Sequence, residues 1–243
     1  MTAAALSLSK IVAGHDGHVS ISDVTLAVPA GARVAVIGAN GAGKSTLLKT
    51  IAGELPPLGG QMRRCATCAR MGYLPQSATV DTRFPVSVYE FVAMGVWNHV
   101  GLFRRLGPAV RQRIDAALDR TGLAALARRP IGALSGGQLQ RARFARLMLQ
   151  DAALLLLDEP FAGVDRPTRE ALMALIDGWH AEGRTCLVVL HDLDLVRQRF
   201  EWCLSVDDGH AQLTPTAELL ALRPTADGAA AARHAFLRDA LRA

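Results

Sequence analysis

The chain has 243 residues, half of them hydrophobic, and 27 Lys and Arg against 22 Asp and Glu give a formal net charge of +5. This length suits one domain with subdomains or two small domains, and no apolar run approaches the ~20 residues of a membrane-spanning helix. Only Lys10, Lys44 and Lys49 are lysines; the scattered arginines read as a compositional bias, not a nucleic-acid patch, and Met1 to Lys10 lacks the pattern of a secretion signal, so a cytoplasmic chain is expected.

Residues 6–37 read as strands and turns. Val19–Ile21 and Val24–Val28 alternate as half-buried strands do, and Pro29-Ala30-Gly31 marks a turn. Arg33–Ile37 is an apolar run suited to a buried strand, and Thr46–Ile51 opens a helical pattern. Between them stands Gly38-Ala39-Asn40-Gly41-Ala42-Gly43-Lys44-Ser45-Thr46, which fits the phosphate-binding pattern G-x-x-x-x-G-K-[ST]. A strand, a glycine-rich turn and a helix start bring backbone N–H groups and a helix dipole to one point, where an anion is stabilised. Lys44 would reach the β- and γ-phosphates of a nucleotide and Ser45 would hold Mg²⁺.

Gly53 is placed as a helix C-cap, and Pro56-Pro57 stop the helix. Gly59 to Gln76 reads as a hairpin with Cys65 and Cys68 near its tip. Cys-x-x-Cys is half of a zinc site, but no second pair lies nearby, and the four cysteines are expected as free thiols. From about 80 to 150 the pattern turns helical, over Ser87–Met94 and Pro108–Leu118. This reads as a helical subdomain inserted into an α/β core.

Ser135-Gly136-Gly137-Gln138 fits a capping box. Two glycines in a first turn nevertheless weaken a helix by roughly 1 kcal/mol each, a cost that makes sense where backbone must approach a ligand, so a second phosphate contact is expected there. Ala152–Leu157 reads as a central parallel strand ending in Asp158-Glu159-Pro160. Ligands of open α/β sheets bind at such strand ends. The two carboxylates suit two jobs, Asp158 on Mg²⁺ and Glu159 on an attacking water. Thr185–Leu190 is another buried strand, and His191 beyond it is expected at the γ-phosphate. Trp202–Val206 is expected as a last strand, followed by a helical, alanine-rich tail.

In this order the motifs resemble those of the ATP-binding subunit of ABC transporters, over about residues 6–215. The P-loop matches the family's Walker A, Tyr73-Leu74-Pro75-Gln76 its Q-loop, Leu134–Gln138 its signature, Leu154–Glu159 its Walker B, Ala162–Asp165 its D-loop and His191 its switch histidine. The resemblance implies a P-loop ATPase core over 1–215, with a mixed sheet, an N-terminal antiparallel β part and the inserted helices at about 80–150, then a C-terminal tail over 216–243. It implies catalysis by Glu159, with His191 and Gln76. Mg²⁺ would be held by Ser45, Asp158 and Gln76. ATP would be held between the P-loop of one subunit and Ser135, Gly136, Gly137 and Gln138 of another in a head-to-tail homodimer, with Asp165 nearby. The family's adenine-stacking aromatic is replaced by His15.

Asp81–Val88, Phe161–Gly163 and Gly163–Thr168 further resemble the zinc and manganese importer branch. That implies an ATPase peripheral to the cytoplasmic face of the cell membrane, driving divalent-metal import, zinc first and manganese next, through a permease that works with a periplasmic or surface metal-binding protein. An iron-chelate importer and a soluble, non-transport ABC ATPase are the alternatives. The permease is expected to dock on the segment carrying Phe84, Pro85, Val86, Val88, Tyr89 and Phe91.

Overall fold

The computed structural model describes residues 3–15, 17–76, 85–97 and 106–221. The expected motif residues Asp81–Phe84 and most of the C-terminal tail lie outside these. Two long strands, β1 (Ala4–His15) and β2 (His18–Pro29), pair antiparallel at the start of the chain. The stretches expected as two strands, Val19–Ile21 and Val24–Val28, are one. A register shift at Asp23, which takes φ 50°, bends the strand without ending it. A third strand, β4 (Gly59–Arg64), pairs with the other edge of β1.

The second sheet has six strands in the order β5-β6-β7-β3-β8-β9. Its members are β3 (Arg33–Ile37), β5 (Met71–Leu74), β6 (Leu154–Leu157), β7 (Thr185–Val189), β8 (Trp202–Asp207) and β9 (His210–Pro215). All neighbours are parallel except β8 and β9. The mixed α/β class is therefore as expected, but Trp202–Val206 is not the last strand. Positive-φ Gly209 turns the chain back into β9.

The apolar runs are explained by packing on both faces. Leu154 and Leu156 enter a core with α1 (Lys44–Ala52) and the antiparallel sheet, whereas Leu155 and Leu157 enter a second core with α5 (Arg166–Ala181). Strands β3 and β7 divide their side chains the same way. With period 2 and both faces covered, the run Leu154–Leu157 and the positions after Arg33 and Thr185 are apolar. Each fully buried leucine contributes about 1.5–3 kcal/mol.

The hairpin expected over Gly59–Gln76 does not form, because β4 pairs with β1 while β5 pairs with β6 in the other sheet. Gly72 of β5 lies so close to Leu147 and Leu155 that an added Cβ would meet Leu147 at 2.6 Å. Apolar partners in the larger sheet thus outweigh the local return. Cys65 and Cys68 sit in the crossover around the short turn Thr67–Ala69, not at a hairpin tip. They are bonded to each other, against the expectation of free thiols, while Cys186 and Cys203 are free and buried.

A third core joins α2 (Val88–Ala93), α3 (Pro108–Arg120) and α4 (Gly136–Leu149), through Val88, Phe91, Ile114, Leu118 and Ala145 among others. Ser87 and Glu90 form a capping box on α2. Two short helices complete the described residues, α6 (Leu193–Arg199) and α7 (Thr216–Ala221). No helix among the described residues is long and apolar enough to cross a membrane.

Candidate functional site

The strand order decides where the polar motifs go. Parallel strands β5, β6, β7 and β3 are consecutive neighbours, so the residues after each strand emerge on one edge. Gln76 follows β5, Asp158 and Glu159 follow β6, His191 follows β7, and the Gly38–Gly43 loop follows β3 into α1. Residues separated by as much as 153 positions in sequence, Gly38 and His191, share that edge because of this topology.

The loop encloses a cavity of about 310 Å³, lined by Asn40, Gly41, Gly43, Lys44, Ser45 and Thr46, by Gln76 and Glu159 across from them, and by Ser20 of β2. Gly43 takes φ 99°, and a Cβ there would meet the Ser20 carbonyl oxygen at 2.6 Å. Only glycine permits both the left-handed turn and this approach. Lys44 is 6% exposed, and its ammonium donates to the Gly38 and Ala39 carbonyls, both at 2.8 Å. Burial lowers its pKa, and the Glu159 and Asp158 carboxylates pull the other way. The cation is thus held by the loop it serves, aimed along the cavity wall.

Glu159 is the hub. Its Oε2 accepts from Gln76 Nε2 at 2.8 Å, and its Oε1 stands 3.0 Å from His191 Nε2. It takes φ 48°, a left-handed conformation that a non-glycine residue adopts at a cost of roughly 1–2 kcal/mol. The strain turns the chain sharply after β6 and presents the carboxylate to the cavity, while Asp158 points inward. Asp158 is 2% exposed. Its pKa is raised, chiefly by burial; the Ser45 hydroxyl opposes this, the Glu159 charge adds to it, and Lys49 and Lys44 oppose it. Among the described residues its Oδ1 is buried without a hydrogen-bond partner. An orphaned carboxylate oxygen beside a serine hydroxyl and a phosphate loop fits a hard divalent cation such as Mg²⁺, which takes carboxylate and hydroxyl oxygens. The Gln76 amide nitrogen is engaged by Glu159, which leaves its Oε1 as the atom able to reach such an ion.

Other expected site residues are not brought to this cavity. Ser135 caps α4 as expected, its Oγ accepting from Gln138 N at 3.3 Å while Gln138 Oε1 accepts from Ser135 N at 3.0 Å. Ser135–Gln138 line no part of the cavity. A Cβ on Gly136 would touch nothing within 4 Å, so no packing among the described residues accounts for glycine there. Asp165 is fully exposed and caps α5, accepting from Thr168 N at 3.2 Å. Thr168 in turn lies against Gly137, 3.3 Å from its ideal Cβ position. His15 sits exposed at the end of β1, opposite His18. It does not line the cavity; Ser20 is the residue of that hairpin that does.

Three contacts carried no sequence signal. Ser20 reaches the cavity only because β2 folds over the loop. Gln140 Nε2 donates to the Pro160 carbonyl at 2.7 Å, tying α4 to the turn after Glu159. Arg169 and Asp192 pair at 3.2 Å between α5 and the start of α6.

A sequence model of the family described as ABC transporter matches residues 21–162. The manganese transport system ATP-binding protein MntB of Bacillus subtilis is 39% identical over 204 residues, covering 82% of this chain and 82% of that protein. The zinc transport system ATP-binding protein TroB of Treponema pallidum is 39% identical over 205 residues, covering 82% and 77%. Among solved structures, an ABC transporter in an inward-facing conformation matches with a TM-score of 0.79 at 27% identity, over 90% of this chain and 86% of that one.

Proposed function

The chain belongs to the ABC transporter family, and on that premise we propose that it is the ATP-hydrolysing subunit that powers import of a divalent metal ion, zinc first and manganese next, through a separate membrane permease. The catalytic half of this reading rests above all on Glu159, whose carboxylate is clamped between Gln76 and His191 at the rim of the phosphate cavity. The cargo half is supported by the manganese and zinc transport roles that the names of its relatives state.

In this reading the Gly38–Thr46 backbone and Lys44 hold the β- and γ-phosphates. Ser45, Asp158 and Gln76 would hold Mg²⁺, which would offset phosphate charge there. Glu159 takes the proton of the water that attacks the γ-phosphorus, and ADP leaves with the electrons of the broken P–O bond. Gln76 and His191 fix the direction of the Glu159 lone pairs. A strained backbone and two side-chain partners spend folding stability to pre-organise one base.

Ser135–Gln138 do not line the cavity, and Gly136 is unconstrained among the described residues. Both facts support completion of each site by a second copy placed head to tail. The Gly137–Thr168 and Gln140–Pro160 contacts would then carry the arrival of that copy to the turn beside Glu159. The proposed division is a nucleotide-binding domain over 1–215, with the α2–α4 region as its inserted subdomain, and a tail over 216–243. Peripheral attachment to the membrane follows from the permease partner.

The test is uptake of radioactive zinc and manganese by vesicles carrying the chain and its permease. ATP-dependent zinc accumulation, with manganese second, is expected. Accumulation of an iron chelate with neither ion would transfer the chain to the chelate-importer class.

A further inference from the structure

The Cys65–Cys68 pair lies away from the nucleotide cavity and takes no part in the chemistry above. The two residues are bonded, with Cα atoms 5.0 Å apart, inside the ordinary disulfide range. Their surroundings differ. Cys68 is 3% exposed and packs in the core between the sheets, whereas Cys65 is half-buried at the end of β4. Cys65 Sγ accepts from the Cys68 backbone N–H at 3.2 Å and lies 3.1 Å from the Thr67 hydroxyl. A backbone N–H donor at the sulfur stabilises a thiolate, and Cys-x-x-Cys segments favour one. One sulfur is thus reachable and supported as an anion, and the other is shielded behind it.

The position also matters. The segment is the covalent link from the antiparallel sheet to β5, and β5 runs directly to Gln76, which holds Glu159. Cys65 N–H donates to the Ala5 carbonyl at 3.0 Å, so the start of the link is pinned to β1. A bond between Cys65 and Cys68 shortens the free chain between that pin and β5.

We propose that Cys65 and Cys68 form a reversible dithiol–disulfide site, with Cys65 the attacking and Cys68 the resolving sulfur, whose state biases the Gln76 arm of the nucleotide site. The partner is a small-molecule disulfide of the glutathione class. The Cys65 thiolate attacks one of its sulfurs, forming a mixed disulfide and releasing one glutathione thiolate. The Cys68 thiolate then attacks Cys65 Sγ, forming the internal disulfide and releasing the second. The two cysteines give up two protons and two electrons, and two glutathione thiols gain them. Excess reduced glutathione runs the same steps backward.

The experiment equilibrates the full chain in buffers of reduced and oxidised glutathione, quenches by alkylation and reads intact and peptide masses. The wild-type chain should pass between dithiol and internal disulfide. Cys68→Ser should trap glutathione on Cys65, and Cys65→Ser should acquire the adduct at Cys68 at least ~10-fold more slowly, because a buried sulfur reacts poorly. ATP turnover of the oxidised and reduced wild-type chain should differ by a factor of about two or more, a comparison that needs no mutation. The double Cys→Ser variant should show no redox dependence. Equal adduct rates at the two cysteines would overturn the assignment of the attacking sulfur, and equal turnover of the two wild-type states would overturn the link to Gln76. The turnover arm rests on the proposed ATPase role and the mass arm does not. A chain that exchanges disulfides but hydrolyses no ATP in either state would thus count against that role, not against the thiol site.

Discussion

Replacing Glu159 by Gln removes one negative charge and the ability to take a proton while leaving shape nearly unchanged. The two contacts of the carboxylate let the outcome be worked through. Gln76 Nε2 donates at 2.8 Å and therefore needs an acceptor, so the new amide oxygen must face Gln76. The new NH₂ group then faces His191 Nε2 at the former 3.0 Å. A neutral imidazole accepts there when its proton moves to Nδ1, so the network survives by a change of tautomer. The P-loop contacts of Lys44 are untouched, and KM for ATP should stay within a few-fold. What is lost is general-base catalysis, typically 10²–10⁴-fold, or about 2.7–5.4 kcal/mol of barrier. Steady-state phosphate release gives kcat, and a fluorescent nucleotide titration gives binding. The variant should also hold ATP-bound dimers visible by light scattering. A kcat within ~5-fold of wild type, with intact binding, would refute Glu159 as the base, because removing a general base costs at least about 10²-fold and only a spectator carboxylate can be lost at so small a cost.

Asp158→Asn should raise Tm of the nucleotide-free chain at neutral pH while abolishing turnover. Burial raises the Asp158 pKa above 3.8, so the folded state binds that proton more tightly than the unfolded chain does, and stability falls as pH rises from the ordinary carboxylate range through the raised value. The advantage of the variant should therefore fade toward about pH 3, where both states are protonated; an unchanged Tm at neutral pH would contradict the burial cost. For permease docking, the structure divides the expected residues. Val88 and Phe91 are core, Val86 and Tyr89 are half-buried, Pro85 is exposed, and Phe84 lies outside the described residues. Val86→Ser and Tyr89→Ser should keep basal ATPase and lose permease stimulation together with metal uptake, whereas Val88→Ser should lower stability by about 2 kcal/mol or more. Full stimulation in both half-buried variants would move the docking site elsewhere.

Much of the site was readable in one dimension because its parts are local. A phosphate loop is a strand, a turn and a helix start within a single short stretch, and residues 33–52 carry all three. The Ser135 cap needs only a serine and a glutamine three residues apart, and the burial of Leu154–Leu157 shows in an unbroken apolar run. These features depend on backbone sterics and on the period of a strand, both written residue by residue.

What only the tertiary structure decided depends on strand order. Gly59–Gln76 looked like a hairpin because two short strands flank a turn, yet their partners lie in different sheets, chosen by apolar packing of Gly72 against Leu147 and Leu155. The Asp23 bulge hid the length of β2, since a break in alternation reads the same whether a strand ends or bends. The approach of Ser20 to Gly43 and the Gln76–Glu159–His191 clamp likewise leave no local trace. Sequence determines which side chains can hold phosphate or move a proton. It is the parallel alignment of β5, β6, β7 and β3 that brings them within hydrogen-bond reach, because neighbours in a sheet lie only ~5 Å apart however far apart they stand in the chain.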